Sequence, residues 1–141
     1  MIYFNANRGV RPEDAAGHGL GGSVKVAVGH FDAANGLPPV GTTAPLVALP
    51  AGARIVDARL ATDLLDEGDG LIIDIGDAAA ADRLFAGSDI GQLGGIEPLD
   101  NPGAAGWRYA ESTVLGFTVQ TGAETPSSGG ALTLVVLYVI D

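Results

Sequence analysis

The sequence predicts an all-β domain, a sandwich or barrel of short strands with one short helix. Three observations carry that expectation. Apolar residues recur at every second position in several runs, the repeat of a strand with one buried face. The 22 glycines and 8 prolines have no collagen-like period and fall between those runs, where tight turns join strands. Helical character is confined to a single segment, near residues 78 to 85. The chain's 141 residues are one domain's worth, and 47% hydrophobic residues are more than a disordered chain carries.

Residues 1–22 are polar and Gly-rich after a small apolar start at Ile2, Tyr3 and Phe4. They read as an extended N-terminal arm or a frayed terminus. The sandwich domain is then residues 23–141. Its first strand runs from Ser23 to Gly29, with Val24, Val26 and Val28 on one face and Lys25 and Ala27 on the other. Ala33 to Pro39 is a loop. Thr42 to Leu49 is a second strand, in which Pro45 calls for a sheet edge or a bulge. Ala53 to Leu64 follows, with Val56, Ala58, Leu60, Thr62 and Leu64 expected on one face and Ile55, Asp57, Arg59, Ala61 and Asp63 on the other.

Asp66 to Gly70 reads as a hairpin loop, and Leu71 to Ile75 as the returning strand with Leu71, Ile73 and Ile75 inward. Residues 78 to 85 are the helix candidate, capped by Asp77 and stopped by Gly87. Residues 91 to 106 look like loop, and Trp107 to Ala110 like a short strand. Thr113 to Thr121 presents Leu115, Phe117 and Val119 on one face. Gly122 to Gly130 turns the chain into Ala131 to Ile140, which is apolar on both faces. A strand of that kind lies between two layers or against a partner.

Charge narrows the function classes. Seven Lys+Arg against 17 Asp+Glu give a formal charge of −10. Phosphate backbones repel such a chain, and no basic cluster offsets this, so nucleic acid is not an expected partner. Anionic membrane surfaces are disfavoured for the same reason. The leading MIYFNANRGVRPEDAAG has no uninterrupted apolar core, which does not support a secretory signal, and no segment reaches bilayer-spanning length. The expectation is a soluble protein made in a cytoplasm. Cysteine is absent, which removes disulfides, thiol nucleophiles and Cys-ligated zinc.

The acidic stretch from Gly68 to Phe85, GDGLIIDIGDAAAADRLF, is where chemistry would sit if there were any. A calcium loop needs alternating oxygen ligands and a later bidentate glutamate. Asp66, Glu67 and Asp69 have no such glutamate after them, and turn chemistry accounts for Gly68 to Gly70 without an ion. Asp57, Asp63 and Asp74 fall on solvent faces of strands, and nothing singles out one as a general acid. No Gly-x-Ser-x-Gly elbow is present, and His18 and His30 read as turn or surface histidines. Gly17-x-Gly19-x-Gly21 precedes a strand instead of leading out of one, so it is no phosphate loop. The sequence therefore points to no catalytic residue, no metal and no cofactor. Trp107, Arg108 and Tyr109 would suit a sugar platform or a protein contact, or simply divide between core and rim.

The order of these elements resembles a family of small structural proteins of tailed bacteriophages, described as head decoration, cement or head-fibre base proteins. The residues that carry the resemblance are Leu49-Pro50-Ala51-Gly52-Ala53, Ile75-Gly76-Asp77, Asp82-Arg83-Leu84-Phe85 and Leu137-Tyr138-Val139-Ile140-Asp141, within about residues 45 to 141. The resemblance implies a jelly-roll-like β-sandwich without enzyme activity, sitting as a homotrimer on the exterior of an icosahedral capsid assembled in the host cytoplasm. Its partners would be the major capsid protein and further copies of itself. From the unpatterned arm beside a strongly patterned domain, capsid contact is assigned to Tyr3, Phe4, Arg8 and Arg11. Contact between subunits is assigned to Arg83, Phe85, Trp107, Tyr109, Leu137 and Val139. The competing expectation is a carbohydrate-binding β-sandwich, supported by Trp107, Tyr109 and the acidic loops.

Overall fold

The computed structural model describes residues 23–141, so the arm and its candidate contacts Tyr3, Phe4, Arg8 and Arg11 lie outside the described residues. Among the described residues, eight strands form two antiparallel four-stranded sheets. They are β1 (Lys25–Asp32), β2 (Thr43–Leu49), β3 (Ala53–Thr62), β4 (Ile72–Gly76), β5 (Phe85–Ser88), β6 (Gly95–Pro98), β7 (Thr113–Thr121) and β8 (Ala131–Ile140). One sheet has the order β1-β8-β3-β6, the other β2-β7-β4-β5.

The core lies between the sheets. Ile55, Ala58, Leu60, Leu132, Leu134 and Val136 enter it from one sheet, and Val47, Leu49, Ile73, Ile75, Leu115, Phe117 and Val119 from the other. Alternation along β4 and β7 places these residues inward as their sequence spacing requires. Phe31 of β1 meets Phe117 of β7 edge to face across the layer, with ring centroids 4.9 Å apart. Phe31→Leu is expected to lower stability by about 1 kcal/mol in denaturant titrations, most of it the lost aromatic geometry.

Pro45 sits in an edge strand, and the β2–β7 register shifts between Pro45 and Val47. A missing N–H costs nothing there. Gly52 makes the turn into β3 with φ of 85°, a conformation that glycine adopts without a Cβ penalty.

The structure departs from the sequence expectations in five places. The register of β3 against β8 shifts between Ile55 and Asp57, so Ile55 is core and Val56 is 45% exposed, the reverse of simple alternation. That strand ends at Thr62, and Leu64 is exposed. Asp66 to Gly70 is no hairpin, because β3 and β4 belong to different sheets and the segment crosses between them. Residues 78 to 84 are turns instead of a helix, and Phe85 begins β5. The segment 91 to 106 contains strand β6, whereas 107 to 110 carries only an isolated bridge between Arg54 and Arg108.

On β1 the face carrying Val24, Val26 and Val28 points outward, 51–59% exposed, while Gly29 and Phe31 turn toward the other sheet. Strand β8 is central in its sheet. Leu132, Leu134 and Val136 fill the core, and Val135, Leu137 and Val139 form a half-buried outer row.

Candidate functional site

Three of the residues expected at a subunit contact converge where β4 ends. Gly76 closes the strand under the following loop. A Cβ there would collide with the Ala80 carbonyl, so only glycine lets the loop fold back this closely. The next residue, Asp77, is 7% exposed. Its carboxylate accepts hydrogen bonds from the Ala79 and Ala80 N–H groups at 2.9 and 2.8 Å, from the Arg83 guanidinium, and from the Tyr109 hydroxyl at 2.8 Å. Asn101 donates to the Arg83 carbonyl at 2.8 Å and ties this loop to the 99–107 segment. The Arg83 guanidinium lies 3.7 Å from the centre of the Trp107 ring, a cation–π stack.

Trp107 and Tyr109 reach this position because their backbone runs along the start of β3. Ile55 donates to the Trp107 carbonyl at 2.8 Å, and Tyr109 donates to the Ala53 carbonyl at 2.8 Å. Together with Ala78, Arg108, Glu111 and Ser112, these side chains line an open cleft of about 420 Å³.

The electrostatics of the cluster are those of a locked ion pair. Burial pushes the Asp77 carboxyl up, but the Arg83 guanidinium, the Tyr109 hydroxyl and the Ala80 N–H outweigh it and hold the group below its usual 3.8. Hydrogen bonding to Asp77 raises Arg83 further. Burial, then the Asp77 charge, pushes the Tyr109 phenol well above its usual 10.0. All three groups hold one protonation state through the neutral range. None is poised to exchange a proton, which is what general acid–base work would require.

Phe85 is fully buried in the core of its own chain and presents no surface, so it cannot contribute to a subunit contact directly. Leu137 and Val139 lie apart from the cleft, on the outer face of β8. Arg54 links Val139 toward it. This residue pairs across from Val139, donates to the Gly106 carbonyl at 2.8 Å and bonds Asp141 at 2.8 Å. Arg108 also binds Asp141, at 2.9 Å. These ion pairs are about 40% exposed, so each adds little to stability.

Sequence reasoning missed the role of Asp66. It is fully buried, and its two carboxylate oxygens accept five backbone N–H groups, from Gly68, Gly70, Leu71, Glu124 and Thr125, at 2.8–3.2 Å. The donors come from two of the crossings between the sheets, β3 to β4 and β7 to β8, so one side chain staples both. Oxygens ringed by N–H donors are turned away from metal ligation, since those dipoles present positive ends where a cation would sit. The local signal was present: Asp-x-Gly-x-Gly after a strand suits a side chain that bonds the backbone just ahead of it.

Glu97 of β6 is perturbed in the opposite direction from Asp77. Burial raises its pKa above the usual 4.5, the charges of Asp100 and Asp89 push the same way, and the Ser88 hydroxyl opposes them. A raised folded pKa favours folding below the unfolded value and loses that contribution as pH rises through the folded one. Relative to wild type, Glu97→Gln is therefore expected to gain in melting temperature as pH rises above the usual 4.5.

No protein-family model matches the sequence, and no curated protein matches it. Solved structures do. The chain is similar to one in the cyanophage Pam1 capsid asymmetric unit, at 27% identity and a TM-score of 0.76 over 100% of both chains. It is similar to a chain in the capsid of Ralstonia phage GP4, at 28% identity and a TM-score of 0.70 over 83% of this chain and 85% of that one. A chain in the acid-stable capsid of Helicobacter pylori bacteriophage KHP30 shares the fold, at 17% identity and a TM-score of 0.57. These likenesses support a phage capsid-related protein with a structural role.

Proposed function

We propose that the chain is a non-enzymatic virion protein that decorates the exterior of an icosahedral phage capsid as a homotrimer and stabilises the shell. The observation that carries this reading is the full-length likeness to a chain of the cyanophage Pam1 capsid asymmetric unit. The strand orders β1-β8-β3-β6 and β2-β7-β4-β5, with the chain crossing between sheets, support a jelly-roll description of the sandwich. The partner is the major capsid protein. Clamping stabilises a shell because the clamp binds only the assembled state, and many copies on a symmetric lattice gain avidity from weak individual contacts. Tyr3, Phe4, Arg8 and Arg11 of the arm would supply the grip on the shell.

The test uses shells of the cognate phage assembled without this protein. Added chain is expected to co-sediment with them and to raise the temperature at which they open. Removal of residues 1–22 should abolish co-sedimentation while leaving the far-UV circular dichroism unchanged. Shells that neither bind the full chain nor gain heat resistance would refute the proposal.

The cleft beside Trp107 is what favours the second reading, a carbohydrate-binding module, since the ring is 40% exposed. Arg83 already stacks on one face of that ring, so a sugar would have only the other. Glycan-array binding lost on Trp107→Ala would promote this reading over the first.

A further inference from the structure

The two sheets meet differently along their two sides. On one side the edge strands β1 and β2 come so close that a Cβ at Gly29 would strike the Leu46 carbonyl. On the other side the edge strands are β6 and β5, and a side-chain bond spans them. The Ser88 hydroxyl of β5 donates to Glu97 Oε1 of β6 at 3.2 Å. Glu97 holds a core-facing position there. It stands opposite Leu60 in the β3–β6 register, directly opposed residues share a face, and Leu60 is fully buried. Glu97 Oε2 is buried and has no hydrogen-bond partner among the described residues.

The surroundings favour the neutral carboxyl. From β3 the facing residue is Leu60, while Arg59 before it is exposed on the opposite face. From β5 comes Ser88, whose hydroxyl can serve either form of the acid and also accepts from the Ile90 N–H at 3.3 Å. The turn after β5 brings the charge of Asp89, and the segment after β6 brings that of Asp100. Gln92, in the short turn Ile90–Gln92, donates instead to the Leu71 carbonyl at 3.0 Å. Among the described residues no cation forms an ion pair with Glu97. When neutral, Glu97 can donate from Oε1 to Ser88 and keep Oε2 as an uncharged carbonyl oxygen. When ionised, it places an unpartnered anionic oxygen beside two further acids, and movement into water relieves that cost. Strand β6 has little to hold it against this pull, since it is four residues long and pairs with β3 alone.

We infer that β6 is a proton-gated edge strand, which lies closed on the sandwich while Glu97 is neutral and lifts from β5 and β3 when Glu97 ionises. The gate belongs to the chain itself and does not depend on the capsid reading.

Amide hydrogen exchange in the full-length protein, followed by NMR and corrected for the pH dependence of an unstructured peptide, reads the gate. The reporters are the β6 amides and that of Leu99, which donates to the Ala58 carbonyl at 2.9 Å. Their protection is expected to fall as pH rises above the usual 4.5, by up to about tenfold per pH unit. The amides of β8, central in the same sheet, should keep theirs. Glu97→Gln cannot ionise, so β6 protection should stay level over the same range. Asp89→Asn combined with Asp100→Asn should lessen the fall. Both side chains are exposed, and that of Asp89 makes no capping bond, so the pair of changes leaves the packing intact. The inference is overturned if wild-type β6 protection is flat with pH, or if Glu97→Gln shows the same fall. It is equally overturned if β8 loses protection in step with β6, which is unfolding of the whole chain instead of one strand. Should Glu97→Gln fail to fold, an undiminished fall in the double Asp variant overturns it instead.

Discussion

Asp66→Asn is expected to lower the melting temperature by about 10 °C or more. The change keeps the shape of the side chain and removes only its charge and one acceptor. Both oxygens of Asp66 are saturated by backbone N–H groups, Oδ1 by Gly68 and Thr125 and Oδ2 by Gly70, Leu71 and Glu124. An amide must turn its NH₂ toward one of these sets. Two or three donors then face another donor inside a region from which water is excluded. A buried group left without its partner bears its desolvation penalty in full.

The same geometry fixes a pH dependence. Burial acts to raise the Asp66 pKa, but the N–H groups of Thr125, Gly68, Leu71 and Gly70 together overcome it and drive the group far below its usual 3.8. A depressed folded pKa means stability that is complete above the unfolded value and drains away as pH falls below it. Wild-type melting temperature should thus drop steeply in acid below about pH 4, and Asp66→Asn should show a shallower drop. Asp69→Asn is the control. That side chain is exposed, and its substitution should move the melting temperature little. Equal effects of Asp66→Asn and Asp69→Asn would mean that the staple contributes nothing.

Asp66 also marks where sequence reasoning stops. Its near donors at Gly68, Gly70 and Leu71 follow a pattern that the sequence displays, but Glu124 and Thr125 are 58 and 59 residues away. Nothing local announces that the β7–β8 connection will fold against it. Reading the segment as a hairpin had the correct turn chemistry and the wrong topology, because glycines between apolar runs look alike whether the chain returns within a sheet or crosses to the opposite one. Strand β7 was legible to the residue, since Leu115, Phe117 and Val119 alternate with small and polar residues. The two-sided apolar character of β8 was legible too, and its outer row of Val135, Leu137 and Val139 is half-buried. Which face of β1 would be core was not. Three valines outweigh Gly29 and Phe31 in any hydrophobic count, yet the close approach of β2 admits only a glycine at residue 29, where a Cβ would strike the Leu46 carbonyl.

The failed helix at residues 78 to 85 has a similar physical cause. Four alanines favour helix, and Asp77 does accept from the N–H groups of Ala79 and Ala80 as a cap would. The sheet claims the far end of the segment. Leu84 donates to the Ile75 carbonyl at 2.9 Å, and Phe85 pairs with Ile75. Between cap and strand there remain too few residues to repay helix nucleation. The cap survives and the helix does not. Asp77 turns its second oxygen to Arg83 and Tyr109 instead, which is how the cluster at the cleft forms.

That cluster should behave as a unit. Asp77→Ala is expected to cost about 3 kcal/mol, because it leaves the Arg83 guanidinium and the Tyr109 hydroxyl without their acceptor. The value belongs at the lower end for a broken buried pair, since the Arg83 side chain is 16% exposed and can reach water through the cleft. Tyr109→Phe removes one donor and leaves the ion pair, so about 1 kcal/mol is expected. Arg83→Met keeps the contact with Trp107 but leaves a carboxylate that is 7% exposed facing only N–H and O–H donors, an intermediate loss of about 2 kcal/mol. When Asp77→Ala and Arg83→Met are combined, the loss should fall well short of the sum of the two, because the second change removes a charge that the first had stranded. Denaturant unfolding of the two single variants and the double variant measures this directly. Strict additivity would show that Asp77 and Arg83 act independently, and the cleft would then be shaped by its backbone alone.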